Sequence, residues 1–406
     1  MKKSIFFIIF TFFAIMFPAV PIFAGQTTVT SQNALIDSGI LLIDDFWFSV
    51  INDNPAFAST QTFRVAVTAL QNDTFTGKHT MPNKDSDFCW NNFIQPTVIA
   101  SHKQNVFGGI LSTDTSLTST ENNDDNSISA YSKITGSFIF AHDFSNQKHF
   151  GFRASFSGIT DRICFNGIIT PGMLLTIGNQ QLSFWFPTSY SYTDGDNPHH
   201  NIDTAAFFAD TIKITQRISF KIPAKIALKT YITNDDFFFS VPLAAGFSFI
   251  MQATDKLRFF IGSDISLSFD NFAYFNGTLR HKLPMDSYFK TELTPTLHAG
   301  LSAKVHDKMS IEAGLGTNWL HYIAFRYKRY YTYTEYIRSD DTLEIFTGIS
   351  LSLGCSITLA KNLILHICTA ANDLDSIYVS HYDNARIDYS TFSGHFTIGG
   401  EIEWRM

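Results

Sequence analysis

TFSGHFTIGGEIEWRM, residues 391–406, ends the chain and decides its fold class. Its even-numbered positions carry apolar residues or glycine, whereas its odd-numbered positions carry mainly hydroxyl and charged side chains. The period of two continues over sixteen residues. A strand of a soluble sheet usually spans about five or six residues, but about 9 to 11 residues of tilted strand cross a bilayer. The length therefore predicts a membrane-crossing strand with its apolar face toward lipid.

The same alternation recurs in segments 237–249, 257–270, 293–305 and 344–359, where small, hydroxylated and charged residues share one face. This apolar-out, polar-in pattern is typical of transmembrane β-barrels. A soluble β-sandwich would show the same period, but strand length and an export signal favour the barrel. We predict an all-β, transmembrane antiparallel β-barrel over residues 61–406, with 12 to 16 strands and 14 as the expected count. The polar stretches 113–128 and 187–204 are expected to be outer loops.

Composition agrees with this fold class. The 406 residues include 42 Phe and 15 Tyr, yet only 16% of the chain is charged, against about 25% in soluble domains. The net charge of −7 and the lack of a basic cluster exclude nucleic acid as an expected partner. No apolar run after residue 24 reaches about 18 residues, so any membrane residence must use strands.

Residues 1–24 form a separate segment. Lys2 and Lys3 precede the apolar run IFFIIFTFFAIMFPAV, and PIFA follows it, which predicts a signal peptide cleaved near Ala24. An uncleaved membrane anchor is the alternative, and Pro18 and Pro21 near its end disfavour it. We expect export to the bacterial outer membrane, contact with its lipid, and insertion by the barrel-assembly machinery through the C-terminal strand.

The chain has four cysteines: Cys89, Cys164, Cys355 and Cys368. A three-residue turn at 360–362 would pair Leu359 with Leu363 and Ile357 with Leu365, which keeps apolar residues on one face. In this register Cys355 does not face Cys368. We therefore predict no disulfide between them.

Motifs for enzymatic chemistry are missing from the sequence. It contains no H-E-x-x-H, no G-x-S-x-G and no phosphate-binding glycine loop. His298 and Ser302 share the inner face of one predicted strand, but nothing marks them as a reacting pair. We expect no enzyme activity, no catalytic residue, no cofactor and no metal.

Residues 25–60 do not alternate, although they are rich in apolar side chains. A porin enters its first strand almost at once, so this segment is predicted to fold into the lumen as a plug. Within it, Asp44-Asp45 precede the tripeptide Asn54-Pro55-Ala56. In these features the chain resembles the FadL-type outer-membrane transporters of long-chain fatty acids and other hydrophobic compounds. The chain departs from their pattern in its longer spacing and in Phe57, where Gly is common.

The resemblance implies an N-terminal hatch within a barrel of about 14 strands and passive uptake of a hydrophobic or amphipathic small molecule. Two other functions stay open: a water-filled general porin, and a structural barrel associated with the cell surface or secretion. The predicted residues of the hatch and its ligand site are Asp44, Asp45, Phe46, Trp47, Phe48, Asn54, Pro55, Ala56 and Phe57.

Overall fold

The computed structural model describes twelve stretches of the chain: 54–60, 63–80, 83–122, 125–159, 164–194, 198–233, 236–276, 283–318, 321–331, 334–344, 349–372 and 390–405. The predicted signal peptide and most of the predicted hatch lie outside these residues. Among the described residues, no helix is long and apolar enough to cross a membrane.

Nineteen strand segments follow a short 3-10 helix, Pro55–Thr60. Their bounds are β1 Arg64–Thr80, β2 Asn83–His102, β3 Asn105–Asn122, β4 Asp125–Ser145, β5 Lys148–Ile159, β6 Cys164–Ile177, β7 Gln180–Trp185, β8 Thr188–Thr193, β9 His199–Lys213, β10 Ile218–Ile232, β11 Asp236–Thr254, β12 Leu257–Asn276, β13 Leu283–His306, β14 Met309–Asn318, β15 His321–Tyr331, β16 Thr334–Glu344, β17 Ile349–Ala360, β18 Leu363–Asn372 and β19 Ser390–Arg405.

These segments form one closed antiparallel β-barrel. β1 pairs with both β2 and β19, so that the described sheet has no free edge. Three wall strands consist of two segments each: β7 with β8, β14 with β15, and β16 with β17. Over the residues that the structure describes, the wall therefore has sixteen strands, an even number as expected for a single-chain bacterial barrel.

The expected count of 14 was wrong because two wall strands do not alternate clearly in sequence. β3 carries a Thr- and Ser-rich upper half, and β6 contains Pro171 and internal glycines, which argue against a strand interior. Stretches 113–128 and 187–204 are mostly strand instead of loop. Their threonines suit a pleated sheet, and hydroxyl pairs join the strands, as between Thr188 Oγ1 and Thr204 Oγ1 at 3.1 Å.

The two faces of the wall follow the predicted alternation. In β19, Ile398, Ile402 and Trp404 are exposed on the outside, whereas Glu401 and Glu403 are fully buried on the inside. Large apolar side chains are likewise exposed on the outer face of β2 to β13, as Ile94, Phe156 and Ile265 show. The predicted arrangement of apolar-out and polar-in is confirmed for these strands.

The turn between β17 and β18 departs from the predicted one. Ile357 lies opposite Leu365, as expected, but Ala360, not Leu359, lies opposite Leu363. A register shift between Thr358 and Ala360 leaves a two-residue turn, because a β-bulge absorbs the extra residue. Cys355 then faces outward with Leu353 and Cys368 is buried inside, and both are free thiols.

The two ends of the barrel differ. β1 begins and β19 ends at one end, and seven turns of the wall lie there, including 255–256, 307–308 and 361–362. We call this end the terminal mouth. The opposite end holds Asn122 and Asp125, where β3 ends and β4 begins, and Thr193 and His199, where β8 ends and β9 begins. The site described next lies inside the barrel, a few residues above the terminal mouth.

Candidate functional site

A rigid turn precedes β1 on the inside of the barrel. We call residues 54–60 the elbow. Its backbone folds back at Asn54, where the Phe57 N–H donates to the Asn54 carbonyl at 3.1 Å. The Ala56 N–H donates to Asn54 Oδ1 at 3.0 Å, which is an Asx-type turn. Because proline fixes φ at the next position, the tripeptide has little freedom to take another form.

The Asn54 side chain fastens the elbow to the wall. Its Nδ2 group donates to Ser183 Oγ at 2.8 Å and approaches the carbonyl oxygens of Met173 and Phe184, each at 3.2 Å. The residue is 2% exposed. Because a buried amide without partners is expensive, these bonds select one position of the elbow against β6 and β7.

Two wall glycines make room for the elbow. A Cβ atom at Gly151 would lie 2.1 Å from the carbonyl carbon of Pro55, and one at Gly172 would lie 2.0 Å from Asn54 Oδ1. Both distances are far below a van der Waals contact, so the elbow can lie this close only against glycine. We call Gly151 and Gly172 the glycine seat. A glycine inside a strand often marks such a close approach.

Beside the glycine seat, the inner wall is apolar instead of polar. Ala58 of the elbow packs in a buried cluster with side chains from β2, β3 and β4. We call the wall members of this cluster and the adjoining Ile110 the inner apolar patch: Ile99, Val106, Ile110, Ile139 and Ala141. The patch breaks the polar-in rule beside the elbow, so this part of the wall suits an apolar partner.

The structure brings part of the predicted site together. Asn54, Pro55 and Ala56 are buried on the inner wall and Phe57 is half-buried. The other predicted residues, Asp44, Asp45, Phe46, Trp47 and Phe48, lie outside the described residues. The role of the whole set in ligand binding stays a prediction. The glycine seat and the inner apolar patch were not predicted, although the apolar run at 138–141 and the wall glycines were visible in the sequence.

We expect Asn54→Ala to loosen the elbow. The change removes the Nδ2 contacts and the Asx-type bond, each worth about 0.5–1.5 kcal/mol. Hydrogen–deuterium exchange of a peptide covering residues 54–60 should therefore quicken, while peptides of β11 and β12 keep their rates. Asn201→Ala, which removes one side-chain bond to Ser191, is the control. Equal protection of the elbow in both variants would contradict the contacts described for Asn54.

A Ser–His–Asp set lies elsewhere on the inner wall. His298 Nε2 is 3.2 Å from Ser248 Oγ, and its Nδ1 is 3.3 Å from Asp264 Oδ2. Ser302 instead donates to Glu312, so the sequence pair His298 and Ser302 is not brought together. Catalysis would need an accessible serine and donors for an oxyanion. Ser248 is 2% exposed between paired strands, so we assign the set to packing of the wall.

A second polar cluster joins the first and last strands. Ligand atoms of His366, Glu401 and Glu403 lie within 4.8 Å of one another, a spacing that could hold a metal. However, Glu403 is ion-paired with Arg64 and with Arg405, the latter at 2.8 Å. These arginines supply the positive charge that a cation would supply. We call the five residues the seam network and assign it to closure of the barrel.

The fold and its interior define a class: a closed β-barrel of sixteen strands with an apolar outside and a rigid elbow fixed to its inner wall. No family model and no curated protein matches the sequence. Solved structures that are similar include a Pseudomonas aeruginosa FadL homologue, at TM-score 0.45 and 12% identity, covering 96% of this chain and 100% of that one. The P. putida toluene transporter TodX follows, at TM-score 0.41, 11% identity and coverages of 87% and 93%.

The Ralstonia pickettii toluene transporter TbuX is also similar, at TM-score 0.40 and 11% identity, over 87% of this chain and 92% of that one. The predicted resemblance to FadL-type transporters is thus matched by structural neighbours of that kind. TodX and TbuX are described as toluene transporters. At these identities and scores the likeness carries no argument about function, which must come from the site itself.

Proposed function

We propose that this protein is a bacterial outer-membrane channel for the passive uptake of hydrophobic or amphipathic small molecules, such as long-chain fatty acids. Residues 1–24 would direct export, residues 25–60 would form the hatch and residues 61–406 the barrel. The exposed apolar outer face supports residence in outer-membrane lipid, because strands that close on themselves leave no unpaired backbone edge in the bilayer.

The observation that carries the proposal is the elbow on the inner wall. An open porin has no need of a rigid turn held by Asn54 against a glycine seat. A hatch formed by the preceding residues would start from this turn, beside the inner apolar patch. A hatch anchored there would obstruct polar solutes and offer an apolar surface to a ligand. Its movement would open a route, through the lumen or laterally through the wall.

A general porin is the second candidate, because most of the inner wall is polar. Buried Thr and Ser side chains recur on the inner face of β1, β2, β13 and β17. A water-filled pore would admit small sugars into liposomes, whereas a hatch-filled barrel would exclude them. Sugar-driven swelling of proteoliposomes therefore separates these two functions. A structural role in surface display would instead show as loss of surface proteins on deletion, with lipid uptake intact.

We expect cells that lack their own fatty-acid channel to take up oleate when they express the full chain. Trp47→Ala and Phe48→Ala, in the predicted hatch, should each lower uptake and oleate binding, because burial of an aromatic side chain contributes about 1.5–3 kcal/mol. The control is Phe156→Ala, which removes an aromatic ring exposed on the outer face. Normal oleate uptake in both hatch variants would argue strongly against a ligand pocket at the hatch.

A further inference from the structure

A cavity opens into the lumen at the terminal mouth, across the barrel from the elbow. It lies between inner-facing side chains of β12, β13, β14, β17 and β18 and has a volume of about 310 Å³. This volume is at the lower end of the range for ligand pockets and corresponds to roughly ten water molecules. The cavity can therefore hold a small molecule or the head group of a larger one, but not a whole long-chain lipid.

The lining of this cavity has an excess of positive charge, with four basic and two acidic side chains besides His366. The basic ones are Lys256, Arg258, Lys304 and Lys308, and the acidic ones are Asp255 and Asp307. An excess of one sign in a cleft concentrates ligands of the opposite sign. The composition indicates an anion as the ligand.

Both acidic side chains already have cationic partners. Asp255 is 3.5 Å from Arg217, which lies outside the cavity, and Asp307 is 3.5 Å from Lys304. Lys256, Arg258 and Lys308 form no ion pair with any residue that the structure describes. Three cations of the lining are thus available to an incoming anion.

Arg258 is the best placed of these cations. It lies on the inner face of β12 directly opposite Ser302, and its side chain is half-buried, unlike the exposed Lys256 and Lys308. A guanidinium group presents a planar pair of donors that matches a carboxylate. The hydroxyl groups of Ser310 and Thr358 also line the cavity and can donate to a second oxygen.

The same cavity has an apolar side. Ile364, on the inner face of β18 opposite Thr358, lines it together with the polar groups. A bare inorganic anion would leave this side chain against water, whereas an amphipathic acid would cover it with its carbon skeleton. The lining therefore fits a carboxylate attached to a small apolar body better than it fits free phosphate.

One acidic residue behind the lining opposes this ligand. Glu312 is 5% exposed and accepts a hydrogen bond from Ser302 at 3.1 Å, while its Oε2 has no hydrogen-bond partner among the described residues. In its ionised form, Glu312 attracts Arg258 and repels an anion. Removing that charge should strengthen anion binding, whereas removing the charge of Arg258 should weaken it.

We propose that this cavity is a binding site for the carboxylate of a small amphipathic acid, with Arg258 as its principal contact. The proposal deepens the proposed function and rests on it in one respect: the ligand reaches the cavity through the lumen. The site would hold the head group of an acidic ligand at the terminal mouth, away from the elbow and the inner apolar patch.

The test uses three probes that share one ring and differ in head group: 4-fluorobenzoate, 4-fluorobenzyl alcohol and 4-fluorobenzylamine. Binding to the full chain in lipid nanodiscs is followed by 19F NMR line broadening. We expect saturable binding of the benzoate and much weaker binding of the alcohol and the amine. Arg258→Gln should weaken benzoate binding about tenfold or more, as expected for a lost charge-assisted contact, and Glu312→Gln should strengthen it.

Lys148→Gln is the matched control, since Lys148 is an exposed lysine at the same end of the barrel but outside the cavity. Lys308→Gln is a second variant in case Arg258→Gln does not fold, which heat-modifiable electrophoretic mobility will show. Equal binding of benzoate and alcohol, or benzoate binding that is unchanged in Arg258→Gln and Lys308→Gln, would overturn the proposal. Oleate uptake in cells is scored separately, so that failure of transport and failure of this site are distinguishable.

Discussion

Glu403→Ala is expected to lower the free energy of unfolding by about 3–5 kcal/mol, the range for breaking a buried ion pair from one side. Glu403 is fully buried on the inner face of β19 and is paired with Arg64 of β1. It also accepts two bonds from Arg405, each at 2.8 Å, and lies 3.6 Å from His366. Removing the carboxylate leaves the Arg64 guanidinium, itself 7% exposed, without its buried counter-charge at the seam where the barrel closes.

The measurement is urea-induced unfolding from lipid vesicles, followed by tryptophan fluorescence. Asp255→Ala is the control because its pair with Arg217 is exposed, and exposed pairs contribute about 0–1 kcal/mol. The double change Arg64→Met with Glu403→Leu should recover part of the loss, since it removes both charges of the Arg64–Glu403 pair. A Glu403→Ala midpoint equal to that of Asp255→Ala would show that the seam network does not hold the barrel closed.

The alternation of side chains predicted which residues face lipid and which face the lumen, but it did not predict the number of strands in the wall. In β19 the polarity of each residue indicates its face, because apolar side chains point to the lipid and polar side chains point to the lumen. In the upper half of β3, Thr and Ser occupy both faces, so the strand resembles a loop until its pairing with β4 is known. β6 is difficult to predict for another reason, because Pro171 and the glycines of this strand are unusual inside a strand. One of these glycines, Gly172, is needed for contact with the elbow.

For the candidate site, nearby residues predict the form of the turn, whereas residues distant in sequence determine its position on the wall. Asn54-Pro55-Ala56 predicts a rigid turn, because proline and the Asn side chain act within a few residues. The position of that turn depends on Ser183 and on the glycine seat, which lie about a hundred or more residues away in sequence. The seam pair joins residues 339 apart. Single-sequence patterns do not contain such pairings, so only the folded barrel shows where the elbow lies.

Gly151→Ala is expected to displace the elbow from the wall and raise the conductance of the barrel. The added Cβ would lie 2.1 Å from Pro55 C and 2.2 Å from Ala56 N, both backbone atoms that cannot rotate away as a side chain could. Overpacking of this kind costs about 1–3 kcal/mol, which would shift the population of displaced elbows roughly 5- to 150-fold. If the elbow anchors a hatch, polar ions should then pass more often.

Single-channel recordings in planar bilayers measure this directly, as the open fraction of each barrel. Gly136→Ala is the matched control, because an added Cβ there meets nothing within 4 Å. Gly172→Ala should act in the same direction as Gly151→Ala, since its added Cβ would displace the Asn54 side chain from its contacts with the wall. Hydrogen–deuterium exchange of residues 54–60 measures displacement of the elbow separately from opening of the lumen. An elbow that exchanges faster without any rise in conductance would mean that the elbow is bound to the wall but does not anchor an obstruction of the lumen.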